Sequence, residues 1–272
     1  MNRGPSAQLT IEPAEPAGKR SAELTVDVVI PVLNEAHVLA RSVGTVREFL
    51  AQNLRAKWRV VVVDNGSTDG TREVAAGLAA AHDDVGFLHL AQRGRGRALR
   101  FAWMQSRADI VGYMDVDLST ELAAIPRAVQ ALVDQGYDIA IGSRLLRQSR
   151  TKRSRQREFI SRSYNVMVKA LLWTRFSDAQ CGFKFLTRET AENLVPQVKD
   201  QSWFLDTELL VLAEKQGYRI ADLPVKWDED DDSRVKIVST AWEDIKGIFR
   251  LRRLLWSRDY RTAALQSKRV LS

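Results

Sequence analysis

Short apolar runs alternate with amphipathic stretches from residue 26 to residue 142. The apolar runs have strand length and lie at Val26–Pro31, Arg59–Asp64, Gly86–Leu90, Asp109–Met114 and Asp138–Gly142. Helical stretches connect them, over about 34–54, 68–81, 94–106 and 122–135. This alternation predicts an α/β domain with a mostly parallel central sheet, right-handed crossovers and helices on both faces.

The second half of the chain has a less regular pattern. It predicts a strand over 182–186, a helix over 204–216 and a strand over 218–227. Two amphipathic helices with many basic residues are predicted over about 156–173 and 238–256. Because no linker or repeat divides the chain, we expect one domain over 24–256, after a disordered leader (1–23) and before a tail (257–272).

Composition narrows the class of protein. Apolar residues make up 45% of the chain and charged residues 28%, which is typical of a globular protein and excludes a disordered chain or a coiled-coil rod. Cys181 is the single cysteine, so an intramolecular disulfide is excluded and a reducing compartment is indicated. The apolar runs are far shorter than the ~20 residues that cross a bilayer.

Basic residues are concentrated in two segments. The net charge is +7, yet residues 144–175 hold ten Lys and Arg against one acidic residue, and residues 246–261 hold six against one. Such segments predict a surface that meets nucleic acid, phospholipid or a phosphorylated substrate. Charge alone leaves these three partners open.

Polar residues follow four of the predicted strands. In open parallel sheets, ligands bind outside the carboxyl ends of the strands, so these residues are expected to converge. Asp115 and Asp117, after the fourth strand, place two carboxylates at one point. A divalent cation such as Mg²⁺ or Mn²⁺ would offset their repulsion. The alternative is a pair of acids at a helix start, with Ser119 as the cap.

Two further segments carry weaker signals. Arg93–Arg97 (RGRGR) places glycines and arginines at the start of a helix, a pattern that suits an anionic group but also a flexible surface loop. Asp228–Asp232 (DEDDD) is expected to be a solvated acidic loop.

Eight short motifs, in order along residues 24–250, give the chain a family resemblance. They are PVLNE (31–35), VDNGSTDGT (63–71), RGRG (93–96), MDVDLS (114–119), GSR (142–144), SDAQCGFK (177–184), WFLDTE (203–208) and DSR (232–234). In these eight motifs and their order, the chain resembles the family 2 glycosyltransferases of the GT-A (Rossmann-like) fold, in particular the polyprenyl- and dolichyl-phosphate sugar synthases.

The resemblance implies roles for individual residues. The nucleotide-sugar positions are Pro31, Leu33, Glu35, Asp64, Asp115, Val116, Arg144 and Arg234. The metal positions are Asp115 and Asp117, and the catalytic positions are Asp117, Arg144, Asp206 and Glu208. The positions expected at the acceptor phosphate and the membrane are Arg153, Arg155, Arg157 and Arg162.

The implied function is an inverting transfer of a hexose from a nucleotide sugar to a polyprenyl phosphate at the cytoplasmic face of the membrane. Residues 178–184 resemble the glucosyl branch, which favours UDP-glucose over GDP-mannose. A phosphate acceptor needs no strong base, whereas an alcohol acceptor would make Asp206 the candidate base. A nucleic-acid- or membrane-binding protein without catalysis is the alternative class, although acids at the strand ends would repel nucleic-acid phosphates. A phosphotransferase would carry the Asp115 motif after its first strand.

Overall fold

The computed structural model describes residues 24–152, 154–228 and 237–256, apart from the side chains of Arg155 and of residues 237–241. The predicted leader and tail, Arg153 and Arg234 lie outside these residues. The strands are β1 Thr25–Val32, β2 Lys57–Asp64, β3 Val85–His89, β4 Ile110–Met114, β5 Ile139–Ser143, β6 Arg150–Lys152, β7 Phe183–Thr187, β8 Ile220–Pro224 and β9 Lys226–Asp228. The helices are α1 Ala36–Asn53, α2 Thr71–Ala81, α3 Arg95–Gln105, α4 Ala124–Val133, α5 Arg155–Leu172, α6 Arg188–Leu194, α7 Leu205–Gln216 and α8 Ile237–Trp256, with a 3-10 turn at Val195–Gln197.

Seven strands form the central sheet, in the order β3-β2-β1-β4-β7-β5-β8. The pairs β3–β2, β2–β1, β1–β4 and β5–β8 are parallel, and β7 runs antiparallel to both of its neighbours. The predicted α/β fold with a mostly parallel sheet is therefore confirmed. Strands β6 and β9 pair separately in a small parallel sheet.

The continuous apolar character of β1 and β2 follows from burial on both faces of the sheet. Val29, Val61 and Val63 pack into the core on one face, and their neighbours Val28 and Val62 pack into the core on the other. Alternate side chains of a strand point to opposite faces, so a strand covered by helices on both sides needs apolar residues throughout.

The reversal of β7 brings a loop to the edge where the parallel strands end. Met114, the last residue of β4, pairs with Phe183, the first residue of β7. The segment before β7, residues 177–182, therefore lies beside Asp115. An all-parallel sheet would have placed that segment at the opposite edge.

The segment predicted as one strand over 218–227 forms two strands in different sheets. Strand β8 pairs with β5, and β9 pairs with β6 after the buried Val225. The short elements β6 and α6 and the 3-10 turn were not predicted, because three to seven residues carry too little periodicity. Among the described helices, none is both long and apolar enough to cross a bilayer.

Candidate functional site

Hydrogen bonds link the ends of β1, β2 and β3 at positions that the family resemblance assigns to the nucleotide sugar. Asp64 is fully buried; its Oδ1 accepts from the amide of Ser67 (3.0 Å), and its Oδ2 lies 2.8 Å from Nδ1 of His89. The amide of Glu35 donates to Oγ1 of Thr71 (2.8 Å). Pro31, the buried penultimate residue of β1, pairs with Val63, and Leu33 follows that strand. These predicted positions therefore share one edge of the sheet.

The two paired aspartates lie in a tight turn directly after β4. Leu118 adopts a left-handed conformation (φ 54°), and Oδ1 of Asp117 accepts from the amide of Ser119 (2.9 Å). The side chain of Asp115 is 39% exposed and packs so closely against Gly182 that a Cβ there would lie 1.7 Å from its Oδ2. Non-glycine residues rarely adopt the left-handed conformation, because it costs free energy. Those that do are concentrated at functional sites.

This donor set fits a hard divalent cation that shares its ligands with a substrate. The described residues contain no cluster of three or more His, Cys, Asp or Glu side chains that could enclose a metal on their own. Mg²⁺ binds through one or two carboxylates together with substrate phosphates, so two aspartates suffice when a diphosphate is present. The partial exposure of Asp115 leaves room for that diphosphate.

Arg95 bridges Asp115 to Asp206 of α7. Its Nη2 donates to Oδ1 of Asp115 (2.7 Å) and its Nη1 to Oδ2 of Asp206 (2.8 Å). The glycines of the RGRGR segment permit close approach to a protein loop rather than to a ligand. A Cβ at Gly94 would lie 2.5 Å from the carbonyl oxygen of Gln201. The hypothesis of an open anion site at this helix start is therefore replaced by an internal carboxylate bridge.

Asp206 is surrounded by donors. Its Oδ1 accepts from the hydroxyl of Tyr113 (2.5 Å) and lies 3.1 Å from Nζ of Lys184. Burial acts to raise the pKa of Asp206, but Lys184, Arg95 and the hydrogen bond from Tyr113 together hold it below its usual value. A carboxylate held ionised in this way orients its partners and is a poor proton acceptor. The structure therefore argues against Asp206 as the base for an alcohol acceptor.

Arg144, directly after β5, is oriented by Asp178. Its Nε and Nη2 donate to the two oxygens of Asp178 at 2.8 and 3.0 Å, and its guanidinium lies 5.5 Å from the ring centre of Trp227. Burial acts to raise the pKa of Asp178, yet Arg144 lowers it to about 2. This fork uses two of the three guanidinium nitrogens, and no bond of Nη1 to another described residue is seen, so Nη1 could meet an anionic ligand.

Glu208 and Arg162 have partners other than the members of the Asp115–Arg95–Asp206 bridge. The carboxylate of Glu208 is buried and accepts two hydrogen bonds from Arg250 of α8, so the pattern that placed it beside Asp206 as a catalytic residue does not bring it to Asp115. On the exposed surface of α5, Arg162 pairs with Glu158 (2.7 Å). The side chains of Arg153, Arg155 and Arg234 are outside the described residues.

Two members of the site were missed from the sequence. Lys184, the second residue of β7, is fully buried, and its Nζ donates to the carbonyl of Cys181 (2.7 Å). A lysine inside an apolar strand is a recognisable signal, since a buried ammonium group requires carboxylate or carbonyl partners. The position of the loop formed by residues 177–182 could not be predicted from the sequence, because the hydrophobic pattern of β7 does not show in which direction the strand runs.

Comparison with known proteins agrees with this architecture. Residues 27–195 match the model of the family described as Glycosyl transferase family 2. The chain is 38% identical to "Glycosyltransferase AglD" of Haloferax volcanii over 82% of its own length, although this spans only 36% of AglD. It is 31% identical to a dolichyl-phosphate beta-glucosyltransferase of Drosophila melanogaster, covering 81% of this chain and 72% of that protein.

A solved structure with the same fold is that of glucosyl-3-phosphoglycerate synthase from Mycobacterium tuberculosis in complex with Mn²⁺, UDP and glucosyl-3-phosphoglycerate. Its TM-score is 0.67 at 16% identity, with 89% of this chain and 86% of that chain covered. At that identity the likeness establishes the fold alone, which is the GT-A fold expected from the motifs. By its family match, its relatives and its fold, this chain belongs to glycosyl transferase family 2.

Proposed function

We propose that the chain transfers glucose from UDP-glucose to a polyprenyl (dolichyl-type) phosphate, with inversion at the anomeric carbon. The observation that carries this proposal is the carboxyl edge of the sheet, where Asp115 and Arg144 directly follow β4 and β5 and Asp117 lies two residues after Asp115. Sequence relatives named as dolichyl-phosphate beta-glucosyltransferases support the sugar and the lipid, and they favour glucose over mannose.

The state of Asp206 supports a phosphate acceptor. A phosphate monoester has a second pKa near 6, so the group is mostly dianionic at pH 7. Its oxygen can therefore act as the nucleophile without a base. Asp206 accepts from Arg95 and Tyr113 and lies against Lys184, so it is poorly suited to remove a proton. An alcohol acceptor would need the opposite, a carboxylate with a pKa near the working pH.

Departure of UDP requires stabilisation of the charge that develops on its diphosphate. Asp115 and Asp117 would hold Mg²⁺ or Mn²⁺, which would supply positive charge to the diphosphate when bound. Arg144 would add further positive charge, and Asp178 keeps its guanidinium in place. Arg95 fixes the orientation of Asp115. Such preorganised charges cost no reorganisation during the reaction.

We further propose that α5 and α8 rest on an anionic membrane surface at its cytoplasmic side, where a lipid acceptor would lie. Of the nine large apolar side chains exposed in the described part of the chain, six belong to these helices or follow α5 directly. They are Phe159, Val166, Trp173, Trp242, Phe249 and Trp256. The guanidinium of Arg252 lies between the rings of Trp173 (5.4 Å) and Trp256 (4.8 Å). We name this surface the aromatic–basic face.

The same two helices also contribute apolar side chains to the protein core. Ile248 and Leu251 of α8, and Val168 and Leu172 of α5, belong to the protein core. Each helix therefore buries one apolar face against the sheet and exposes aromatic residues on the other. Helices that lie in the headgroup layer combine Trp, Phe and basic residues in this way.

The test is a transfer assay with purified chain, Mg²⁺ or Mn²⁺, and a short polyprenyl phosphate. UDP-glucose, UDP-galactose and GDP-mannose are offered as donors, and 3-phosphoglycerate replaces the lipid as an alcohol-bearing acceptor. We expect glucosyl lipid from UDP-glucose, extractable into organic solvent. Transfer to 3-phosphoglycerate but not to the lipid would overturn the acceptor, and transfer from GDP-mannose alone would overturn the donor.

A further inference from the structure

Each residue of the segment 177–182, named here the 177–182 loop, is tied to a different part of the protein. The Oγ of Ser177 donates to Asp222, Asp178 holds Arg144, the amide of Ala179 donates to Asn165 of α5, and Nε2 of Gln180 donates to Asp244 of α8. The carbonyl of Cys181 accepts from Lys184, and Gly182 packs against Asp115. This loop therefore sets the surroundings of both Asp115 and Arg144.

Burial of Asp244 at this position is unfavourable for the stability of the fold. It is 3% exposed; its Oδ2 accepts from Gln180 at 2.6 Å, and its Oδ1 has no hydrogen-bond partner within the described chain. An unsatisfied buried carboxylate oxygen costs free energy of folding. Within the described residues, the charged groups that act most strongly on it are also acidic, namely Asp200, Asp206 and Glu243. Stability of the fold therefore does not explain Asp244.

The position of Asp244 is fixed by close packing of α8. Gly247, one turn later on the same face, approaches Phe204 so closely that a Cβ would lie 2.5 Å from its ring. Arg250, a further turn along, pairs with Glu208 of α7. The contact of Gly247 with Phe204 therefore holds α8 next to Asp244, which reaches the 177–182 loop, while the Arg250–Glu208 pair lies a turn further away.

We infer that Asp244 is a positioning residue for the donor site. By accepting from Gln180 it holds the 177–182 loop where Gly182 leaves space for the carboxylate of Asp115 and Asp178 presents Arg144. Residues that orient metal ligands are often important for function. Their mutation commonly lowers metal affinity or activity by 10–100-fold. This inference rests on the proposed role of Asp115 and Arg144 at the metal and the diphosphate.

The test is calorimetric titration of the whole chain with UDP in the presence of Mn²⁺. Asp244→Ala and Gln180→Ala are each expected to weaken binding roughly tenfold, and the double variant no further, because both break the same contact. Asp244→Asn is expected to retain the affinity, since its amide oxygen can accept from Gln180. Glu243→Ala, an exposed neighbour on the same helix, is the matched control.

Thermal unfolding separates positioning from a structural role. Removing the buried carboxylate should leave the Tm of Asp244→Ala at or above that of the unmodified chain at pH 8, while its UDP affinity falls. Equal affinities in all variants, or additive losses in the double variant, would overturn the inference while the proposed function stands. An unmodified chain that does not bind UDP with Mn²⁺ would overturn the proposed function and this inference together.

Discussion

Arg250 of α8 donates two hydrogen bonds, both of 2.9 Å, to the carboxylate of Glu208 in α7. Glu208 is fully buried, and it also accepts from the backbone amides of Lys199 (3.2 Å) and Asp200 (2.9 Å). Its oxygens are thus occupied by groups that hold α7, α8 and the loop before α7 together. We therefore propose a structural role for Glu208, in contrast to the catalytic role that its motif implied.

Arg250→Leu should accordingly destabilise the fold without changing the donor site. The variant leaves the buried carboxylate of Glu208 without its counter-charge, which lowers the free energy of unfolding by about 2 kcal/mol. This cost is smaller than that of breaking a fully buried pair, because Arg250 is 38% exposed. For a chain of this size the Tm falls by roughly 4–8 °C. Thermal unfolding measures this, and UDP·Mn²⁺ affinity should stay within about twofold. Arg253→Leu, on the exposed side of α8, is the control; an equal loss of Tm there would contradict the pairing argument.

The parallel half of the fold could be predicted from the sequence, because each strand there is a short apolar run between amphipathic helices. The same rule placed Asp64, Asp115 and Arg144 at one edge, since parallel strands end together. The antiparallel direction of β7 could not be predicted, because a five-residue, mostly apolar run such as Phe183–Thr187 does not show in which direction it pairs with its neighbours. Hence the 177–182 loop, and with it the pairing of Gln180 with Asp244, became visible only in the structure.

The distinction between Asp206 and Glu208 also required the structure. Two residues apart on a helix, their side chains lie about 200° apart around the axis. Asp206 consequently meets Arg95 and Lys184, while Glu208 meets Arg250. The motif implies a catalytic role for both residues. Only the residues that contact each side of α7 distinguish Asp206, which belongs to the site, from Glu208, for which we propose a structural role.

Asp117→Asn and Asp115→Asn should remove the binding of UDP in the presence of Mn²⁺. Loss of an outer partner costs 10–100-fold in metal affinity, so loss of a ligand is expected to cost at least on the order of a hundredfold. Both substitutions are expected to be severe, because each removes a carboxylate that would bind the same cation. Calorimetry measures binding, and Asp83→Asn, an exposed acid before β3, is the control. Undiminished transfer by the unmodified chain in excess EDTA would refute the metal requirement.

Stability should depend on pH through Asp244. Burial raises its pKa to about 7, with the hydrogen bond from Gln180 opposing this shift, whereas an unfolded aspartate titrates near 3.9. The groups that influence it are Gln180, Asp200, Asp206 and Glu243, and its charge in turn raises the pKa of Tyr164. Between pH 4 and 7 the folded chain holds the proton more tightly than the unfolded chain, so this carboxyl loses stabilising effect as the pH rises.

Asp244→Asn removes that dependence, so its Tm should exceed that of the unmodified chain by an amount that grows from pH 5 to pH 8. Asp178 offers the opposite case: Arg144 lowers its pKa to about 2 against the effect of burial, so its contribution is present above pH 4 and is lost only in stronger acid. Asp178→Asn should therefore lower the Tm throughout pH 5–8. A constant Tm difference for Asp244→Asn across this range would contradict the shifted pKa.

The aromatic–basic face should bind vesicles that contain anionic phospholipid, and Phe159→Ser with Phe249→Ser should weaken that binding. These two rings are 73% and 60% exposed, and partial burial of each in the headgroup layer contributes about 1.4 kcal/mol, or about tenfold in affinity. Met104→Ser removes a 45% exposed apolar side chain of α3, outside this face, and should leave binding unchanged. Co-sedimentation at rising salt gives the measurement, because basic residues near an anionic leaflet contribute roughly 1 kcal/mol each and are screened. Equal binding to neutral and anionic vesicles would contradict the contribution of the basic residues. An equal loss with Met104→Ser would show that the exposed aromatic residues of α5 and α8 do not form a membrane surface.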